Sequence, residues 1–479
     1  MNGNTQALEN ITADLVAAVH TLKSQDLNVD ISTDESRVAP QPLVPAEAPA
    51  GAHWARRTIL ANAAKLQALI AEPADFIQDL ARQNQLLACI NWLGEFQVLA
   101  CIPLRGSVPF KDVAELAGVP EAQLRRVVRM TATANFLQEP RPEQVAHSAL
   151  SAPFVTKPSY LDATMFLGET AAPAALNLAA ATQRFGQSQQ PHESAYNVAQ
   201  NTSLPFASTC DQRPKLQRQW PAYLRHALGD QDSKVTDLVT CYDWASLGSA
   251  TVVEVDARST ATALALADVS PNLRFVVQIS EPPSPITRLT WDFTPNRSAV
   301  ATPVHESKAP SSSGNPGDIP PHLISRISVE KRIRTAAQTV DNAAVYILRL
   351  PSPTPMTPSR SLAMQIIAEL KAHLGVLRKN MNSRLLLMSR LLHDTGVVEP
   401  DLELITRLRD LTLLQLANEH ELETLELLEM VNNVRDGMGR LILINQLRAW
   451  NNLPVGFEVQ YQAYSDSAEL YWPIATPKV

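Results

Sequence analysis

The sequence predicts an α/β protein in two parts, a helical unit ending in a winged helix and a doubly wound parallel sheet. Three observations carry that reading. Apolar residues recur at helical spacing between Trp54 and Pro103, a helix-turn-helix pattern with a turn-and-strand extension follows up to His147, and beyond Thr251 short apolar runs alternate with helical stretches. Alternation of the last kind implies a parallel sheet covered by helices on both faces.

The chain has 479 residues, 45% of them hydrophobic, enough at roughly 150 residues per domain for two or three globular domains. Its formal net charge of -7 gives no overall basic footprint for a phosphate backbone, so any link to DNA is expected to be indirect. Cys89, Cys101, Cys210 and Cys241 are scattered without C-x-x-C spacing or paired histidines. They read as reduced thiols, and no metal site is expected. The start M-N-G-N-T-Q-A-L-E-N lacks the features of a secretory signal. No apolar run reaches the ~18 residues of a membrane span, so a nuclear or cytoplasmic protein with no membrane contact is expected.

Residues 1–53 are expected to be a flexible N-terminal segment, because V-A-P-Q-P-L-V-P-A-E-A-P at Val38–Pro49 favours an extended linker. The helical and winged-helix domain is placed at 54–158. Ile59, Ala63, Leu66 and Ile70 mark one amphipathic helix, Pro73 interrupts, and Phe76, Leu80, Leu87, Ile90 and Leu93 mark a second. Gly118 then closes a short helix and Pro120 opens another. Phe136, Leu137, Val145 and His147 flank the turn E-P-R-P-E as strands of a wing would.

Residues 159–234, rich in Ala, Gln and Leu, are expected to form a helical connector covering one face of the neighbouring domain. The sheet domain is placed at 235–465, followed by a tail at 466–479. V-V-E-V, R-F-V-V-Q-I, A-A-V-Y-I-L-R-L and Leu385–Met388 read as buried strands. A-T-A-L-A-L-A and the stripe Leu362, Ile366, Leu370, Leu374 read as helices. R-L-I-L-I and F-E-V-Q-Y-Q-A-Y read as an antiparallel edge pair. A Pro/Ser/Gly-dominated stretch at 303–321 is expected to be a disordered insertion.

The combination resembles the plant and fungal class of S-adenosylmethionine-dependent O-methyltransferases. D-W-A-S-L-G-S-A-T-V-V-E-V sits at the first strand and its approach, W-D-F-T at Trp291–Thr294 resembles that class's later D-F-F turn, and R-D-L-T-L-L-Q-L-A-N-E at Arg409–Glu419 resembles the motif before its last long helix. The resemblance implies a winged-helix, dimerisation-type domain followed by a Rossmann-like class I methyltransferase domain, here degenerate. The cofactor turn, which in that class is glycine-rich so that ligand can lie on bare backbone, reads Asp256, Ala257, Arg258, Ser259, Thr260. An inward Arg258 is expected to help fill the pocket, with Glu254 the remaining acid nearby. The ribose-binding carboxylate at the end of the second strand is replaced near Ile279. The segment that should carry a catalytic histidine continues L-P-S-P-T-P. No catalytic residue, cofactor or metal ligand is therefore assigned.

A closer resemblance within this superfamily is to the transcriptional co-activators of aflatoxin, sterigmatocystin and related aromatic polyketide clusters. It rests on T-I-L-A-N-A-A-K-L-Q-A-L at Thr58–Leu69, E-P-A-D-F at Glu72–Phe76, N-W-L-G-E-F-Q-V-L-A-C-I-P-L at Asn91–Leu104 and L-K-A-H-L-G-V-L-R at Leu370–Arg378. This resemblance implies a non-enzymatic nuclear partner of a pathway-specific zinc-cluster transcription factor, with a homodimer also implied through the winged-helix module. The competing reading is an S-adenosylmethionine-dependent O-methyltransferase, or a repurposed enzyme, acting on an aromatic polyketide.

Other features carry two readings each. Arg125, Arg126 and Arg129 lie where a winged helix would read DNA, but in the methyltransferase class this element serves dimerisation. His147 is expected to be structural, and His373, His393 and His420 stand alone without a nucleophile or carboxylate at useful spacing. The run Asn418–Glu429 is either an acidic-hydrophobic activation segment or, favoured, an amphipathic helix with a solvated acidic face. Trp220, Tyr223 and Trp244 are candidates to line a pocket for a pathway intermediate. E-K-R-I-R at Glu330–Arg334 is too short to mark nuclear import and reads equally as a solvated helix face.

Overall fold

The computed structural model describes residues 2–25, 40–45, 47–229, 235–280, 319–398, 400–448 and 454–464. The chain divides into two compact units, residues 1–188 with 192–230, and 189–191 with 231–479.

The first unit opens with α1 (Asn2–Ser24) and α2 (Ala50–Ile70), which pack against each other. Residues 2–24, expected to be flexible, are therefore helical. Leu8, Ile11, Leu15, Ala18 and Leu22 recur every three or four residues, a stripe that a neighbouring helix can cover, and Ala18 is 1% exposed. The next helix, α3 (Pro73–Glu95), has proline in its first turn. Its start is a reciprocal cap in which the Glu72 N–H donates to Asp75 at 3.0 Å.

The winged helix follows as α4 (Phe110–Ala117), α5 (Glu121–Ala132) and the short strands β1 (Val108–Pro109), β2 (Leu137–Gln138) and β3 (Gln144–His147), paired in the order β1-β3-β2. Gly118 ends α4 with a φ of 67°, a conformation costly for residues with a Cβ. The stretch expected as a connector is built into this same unit. Its helices α6 (Pro158–Phe166) and α7 (Pro214–His226) are joined by Arg218 Nε, which lies 2.9 and 2.8 Å from the two carboxylate oxygens of Asp162, and by rings of Phe166, Trp220 and Tyr223.

The second unit is a seven-stranded sheet built from β4 (Thr251–Val255), β5 (Arg274–Ser280), β6 (Ile327–Arg332), β7 (Val345–Arg349), β8 (Arg384–Met388), β9 (Gly439–Arg448) and β10 (Pro454–Ala463). The spatial order is β6-β5-β4-β7-β8-β10-β9. The first five strands run parallel, and β10 pairs antiparallel with both β8 and β9. Buried parallel strands need apolar residues on both faces, and two clusters provide them. Val253, Val255, Tyr346 and Leu348 face α9 (Ser359–Lys379) and α11 (Thr424–Asn433), while Val252, Val345, Ile347 and Phe275 face α8 (Ala261–Val269). The helix α10 (Pro400–Ala417) precedes α11. Trp291–Thr294 and all but the last three residues of the expected insertion lie outside the described residues.

The crossover from β6 to β7 contains no helix. A parallel crossover must still cover the sheet, and here a polar network does so. Gln278 on β5 donates to Gln338 at 2.8 Å, and Gln338 approaches His373 on α9 at 3.4 Å. Arg332 and Glu369 form an ion pair at 2.6 Å with side chains only 6% and 7% exposed. The Thr335 N–H donates to Glu369 at 2.7 Å. Glu330–Arg334 is thus a strand and its exit, with Arg332 buried, and not a solvated helix face.

Burial holds His373 neutral and pulls its pKa down to about 4. A depressed imidazole pKa means that the unfolded chain binds the proton first as pH falls. The associated stability is therefore full above about 6.5 and drains away toward pH 4. Glu369 and Glu254, pushed upward by burial, act with the opposite sign, so the comparison must be differential. His373→Gln should flatten the fall in stability between pH 6.5 and 4 by about 2–3 kcal/mol in denaturant titrations; parallel curves for variant and wild type would refute this role for His373.

Candidate functional site

In a doubly wound sheet, ligands sit beyond the carboxyl ends of the strands where the strand order reverses. Here that is the mouth formed by β4, β5 and β7. The turn after β4 keeps the backbone shape of a glycine turn without the glycine, because Asp256 has a φ of +55°. Its carboxylate is engaged on both oxygens. The Ser280 hydroxyl at the end of β5 donates to Oδ1, and Arg334 Nε lies 3.2 Å from Oδ2. Ala257 is 4% exposed, its N–H donating to the Gln278 carbonyl at 2.9 Å. Thr260 is fully buried at the start of α8.

Two sequence expectations change in detail. Arg258 is exposed, so the side chains in the turn that take up interior space are those of Asp256, Ala257 and Thr260. Ile279 packs against the α8-side core, and strand alternation turns its neighbour Ser280 toward Asp256. Neither position carries a carboxylate. Sequence reading also missed Arg334, which lies on the β6 exit and finds Asp256 only through the sheet order.

Glu254, 4% exposed, projects from β4 toward α8, with Oε1 3.5 Å from Arg349 Nε at the end of β7. Arg349 also donates to Thr262 at 3.1 Å. Burial pushes the Glu254 carboxyl upward against the opposing pull of Arg349, and its Oε2 is buried without a hydrogen-bond partner. Where the methyltransferase class carries its base, residues 350–358 form a proline-rich loop with a tight turn at Thr354–Thr357.

The histidines take separate positions. His147, 2% exposed, joins Ser151 at 2.9 Å and the Leu99 carbonyl at 3.1 Å, pinning the wing strand within its unit. His373 belongs to the network under the sheet. His393 is 9% exposed, and His420 pairs with Glu426 at 3.0 Å. On α5, Arg125 meets Glu121 and Glu143, each at 2.6 Å, and Arg129 meets Glu139 at 2.8 Å. Arg126 alone of the three is exposed without an ion pair among those described.

The acidic run is structural in large part. Glu421 is buried 3.1 Å from Arg409, Glu423 and Glu426 form a capping box at the start of α11, and Leu422 and Leu427 enter the core. Trp220 and Tyr223 are packed among Phe166 and Phe206 in the first unit, and Trp244 is 4% exposed in the core of the second. They are core residues of two different units.

Among the described residues no helix is long and apolar enough to cross a membrane. On the first unit, α2 and α3 expose Trp54, Leu60, Ile70, Phe76, Ile77 and Leu80 by 46% to 65%. Several of these had been expected to be core-facing.

Comparison with known proteins places this geometry in a family. Residues 5–71 match the model of the N-terminal domain of the trypacidin cluster transcriptional coactivator tpcD. The monodictyphenone cluster transcriptional coactivator mdpA of Emericella nidulans is 48% identical over 97% of this chain and 100% of its own. The aflatoxin cluster transcriptional coactivator aflS of Aspergillus flavus is 41% identical over 86% of this chain and 90% of its own. Among solved structures, one described as a pericyclic reaction enzyme superposes with a TM-score of 0.55 at 14% identity, covering 95% of this chain and 100% of that one. OxaC in complex with SAH and oxaline superposes at 0.52, also at 14% identity, covering 96% and 100%. The fold is that of class I O-methyltransferases, and by sequence the chain belongs to the family of secondary-metabolite cluster transcriptional coactivators.

Proposed function

We propose that this protein is a non-catalytic transcriptional co-activator of an aromatic polyketide gene cluster, acting in the nucleus through a pathway-specific zinc-cluster transcription factor. The observation that carries the non-catalytic part is Asp256. It takes the left-handed backbone that favours glycine in the turn after β4, and its carboxylate is bound by Ser280 and Arg334. S-adenosylmethionine needs bare backbone at this turn and a ribose acceptor on the second strand, and the residues present offer neither. One observation favours the rival enzyme reading, the buried Glu254 oxygen without a partner. Arg349 beside it already supplies the countercharge, and no base follows β7.

The charge pattern supports indirect contact with DNA. A groove-reading helix needs several free cations for phosphates and bases, whereas Arg125 and Arg129 are neutralised by Glu121, Glu139 and Glu143 and only Arg126 stays exposed outside the described ion pairs. With a net charge of -7, sequence reading is left to the zinc-cluster partner. Tagged protein recovered from nuclear extract should bring that factor with it, and deletion of the gene should sharply lower cluster transcripts. Absence of the factor together with unchanged transcripts would overturn the proposal.

The exposed apolar side chains of α2 and α3, with Phe76, Ile77 and Leu80 on one arc of the first turns of α3, support a homodimer. The six large apolar side chains of the two helices offer on the order of 600 Å² per copy, close to the ~800 Å² per partner of a standard interface. Phe76→Glu combined with Ile77→Glu should convert a dimer to a monomer in sedimentation equilibrium, whereas a monomeric wild type, or an unchanged mass, would contradict this assignment.

A further inference from the structure

Between β7 and α9 the chain reads L-P-S-P-T-P-M-T-P-S-R, so Ser352, Thr354 and Thr357 are each followed by proline within six residues. Nothing in the co-activator reading uses these hydroxyls. We propose that this loop is a phosphorylation site for a proline-directed Ser/Thr kinase, with Thr357 the principal acceptor, and that phosphate there releases a latch between α9 and the α10–α11 connector. The proposal does not depend on the co-activator reading.

Pro351, Pro353, Pro355 and Pro358 restrict the loop and bias the residues before them toward extended backbone. Ser352 accepts a bond from Arg390 at 3.2 Å, a contact outside the loop. Thr357 is held locally instead. Its N–H donates to the Thr354 carbonyl at 3.0 Å, and the Thr354 hydroxyl donates to its Oγ1 at 3.3 Å. Opening that single turn presents Thr357 and Pro358 together, with Thr357 already half-buried rather than enclosed.

The latch begins two residues on. Ser359, the first residue of α9, gives both its N–H, at 2.9 Å, and its hydroxyl to Glu419 Oε2. Glu419 lies in the connector that carries buried Glu421 and Leu422 into the core. In the modification, the kinase transfers the γ-phosphoryl group of its magnesium-bound ATP to Thr357 Oγ1. The Oγ1–P bond forms, the bond from the γ-phosphorus to the β–γ bridging oxygen breaks, ADP leaves, and the hydroxyl proton passes to the kinase base. A phosphate of charge about -1.5 to -2 two residues from Ser359 repels the Glu419 carboxylate. Exposed Arg360 and the first turn of α9 favour the phosphate over Glu419.

The test treats the purified full chain with a proline-directed kinase and ATP, then maps phosphate by mass spectrometry and amide exchange by deuterium uptake. Label should concentrate in residues 350–360 and be largely lost in Thr357→Ala. Phosphorylated wild type should exchange faster over 417–424, and unmodified Glu419→Ala, which removes the acceptor of both Ser359 bonds, should do the same. A folded chain that resists labelling, whether or not a free peptide of residues 348–362 is labelled, overturns the site. Label on Thr357 with unchanged exchange over 417–424 overturns the latch.

Discussion

Arg332 and Glu369 meet 2.6 Å apart under the parallel sheet, and the second unit is organised around that contact. Losing either partner would leave a buried charge unpaired, at a cost of about 3–5 kcal/mol. The pair therefore ties α9 to the end of β6 and holds the start of the β6–β7 crossover in place without a helix. Gln278, Gln338 and His373 carry the same network inward from the end of β6 toward the middle of the sheet. Arg334, two residues beyond Arg332, is thereby placed to reach Asp256.

That placement links the fold to its function. A methyltransferase-like sheet has an opening at its switch point, and on the non-catalytic reading proposed above the groups lining that opening are satisfied without a cofactor. Here the chain's own carboxylate, hydroxyl and guanidinium groups bond to one another across the ends of β4, β5 and β6. The left-handed backbone at Asp256 is retained although a glycine would adopt it more easily, a strain of about 1 kcal/mol that the two side-chain contacts offset. The non-catalytic reading leaves partner binding to the exterior, where α3 exposes Phe76, Ile77 and Leu80.

Much of the sheet was legible because buried parallel strands are written as unbroken apolar runs. Val345–Leu348 is one such run and Val252–Val255 is broken only by Glu254, and the stripe Leu362, Ile366, Leu370, Leu374 marks the long helix over them. The N-terminal helix was missed because the proline-rich stretch at Val38–Pro49 dominated the reading, although Leu8, Ile11, Leu15, Ala18 and Leu22 held the signal. That the turn after β4 carries no glycine is legible in the sequence, but which of its side chains turns inward is not. Length suggested Arg258, whereas the backbone sends Arg258 to solvent and gives the interior to Asp256. Partners distant in sequence, such as Arg334 for Asp256 or Gln338 for Gln278, become neighbours only through strand order, which local spacing does not encode.

The most direct test of this account is a calorimetric titration of the purified full-length protein with S-adenosylmethionine and S-adenosylhomocysteine. A mouth closed by Asp256, Ser280 and Arg334 predicts no detectable binding heat at high ligand concentration. Saturable micromolar binding of either compound would contradict it and would move the enzyme reading to first place.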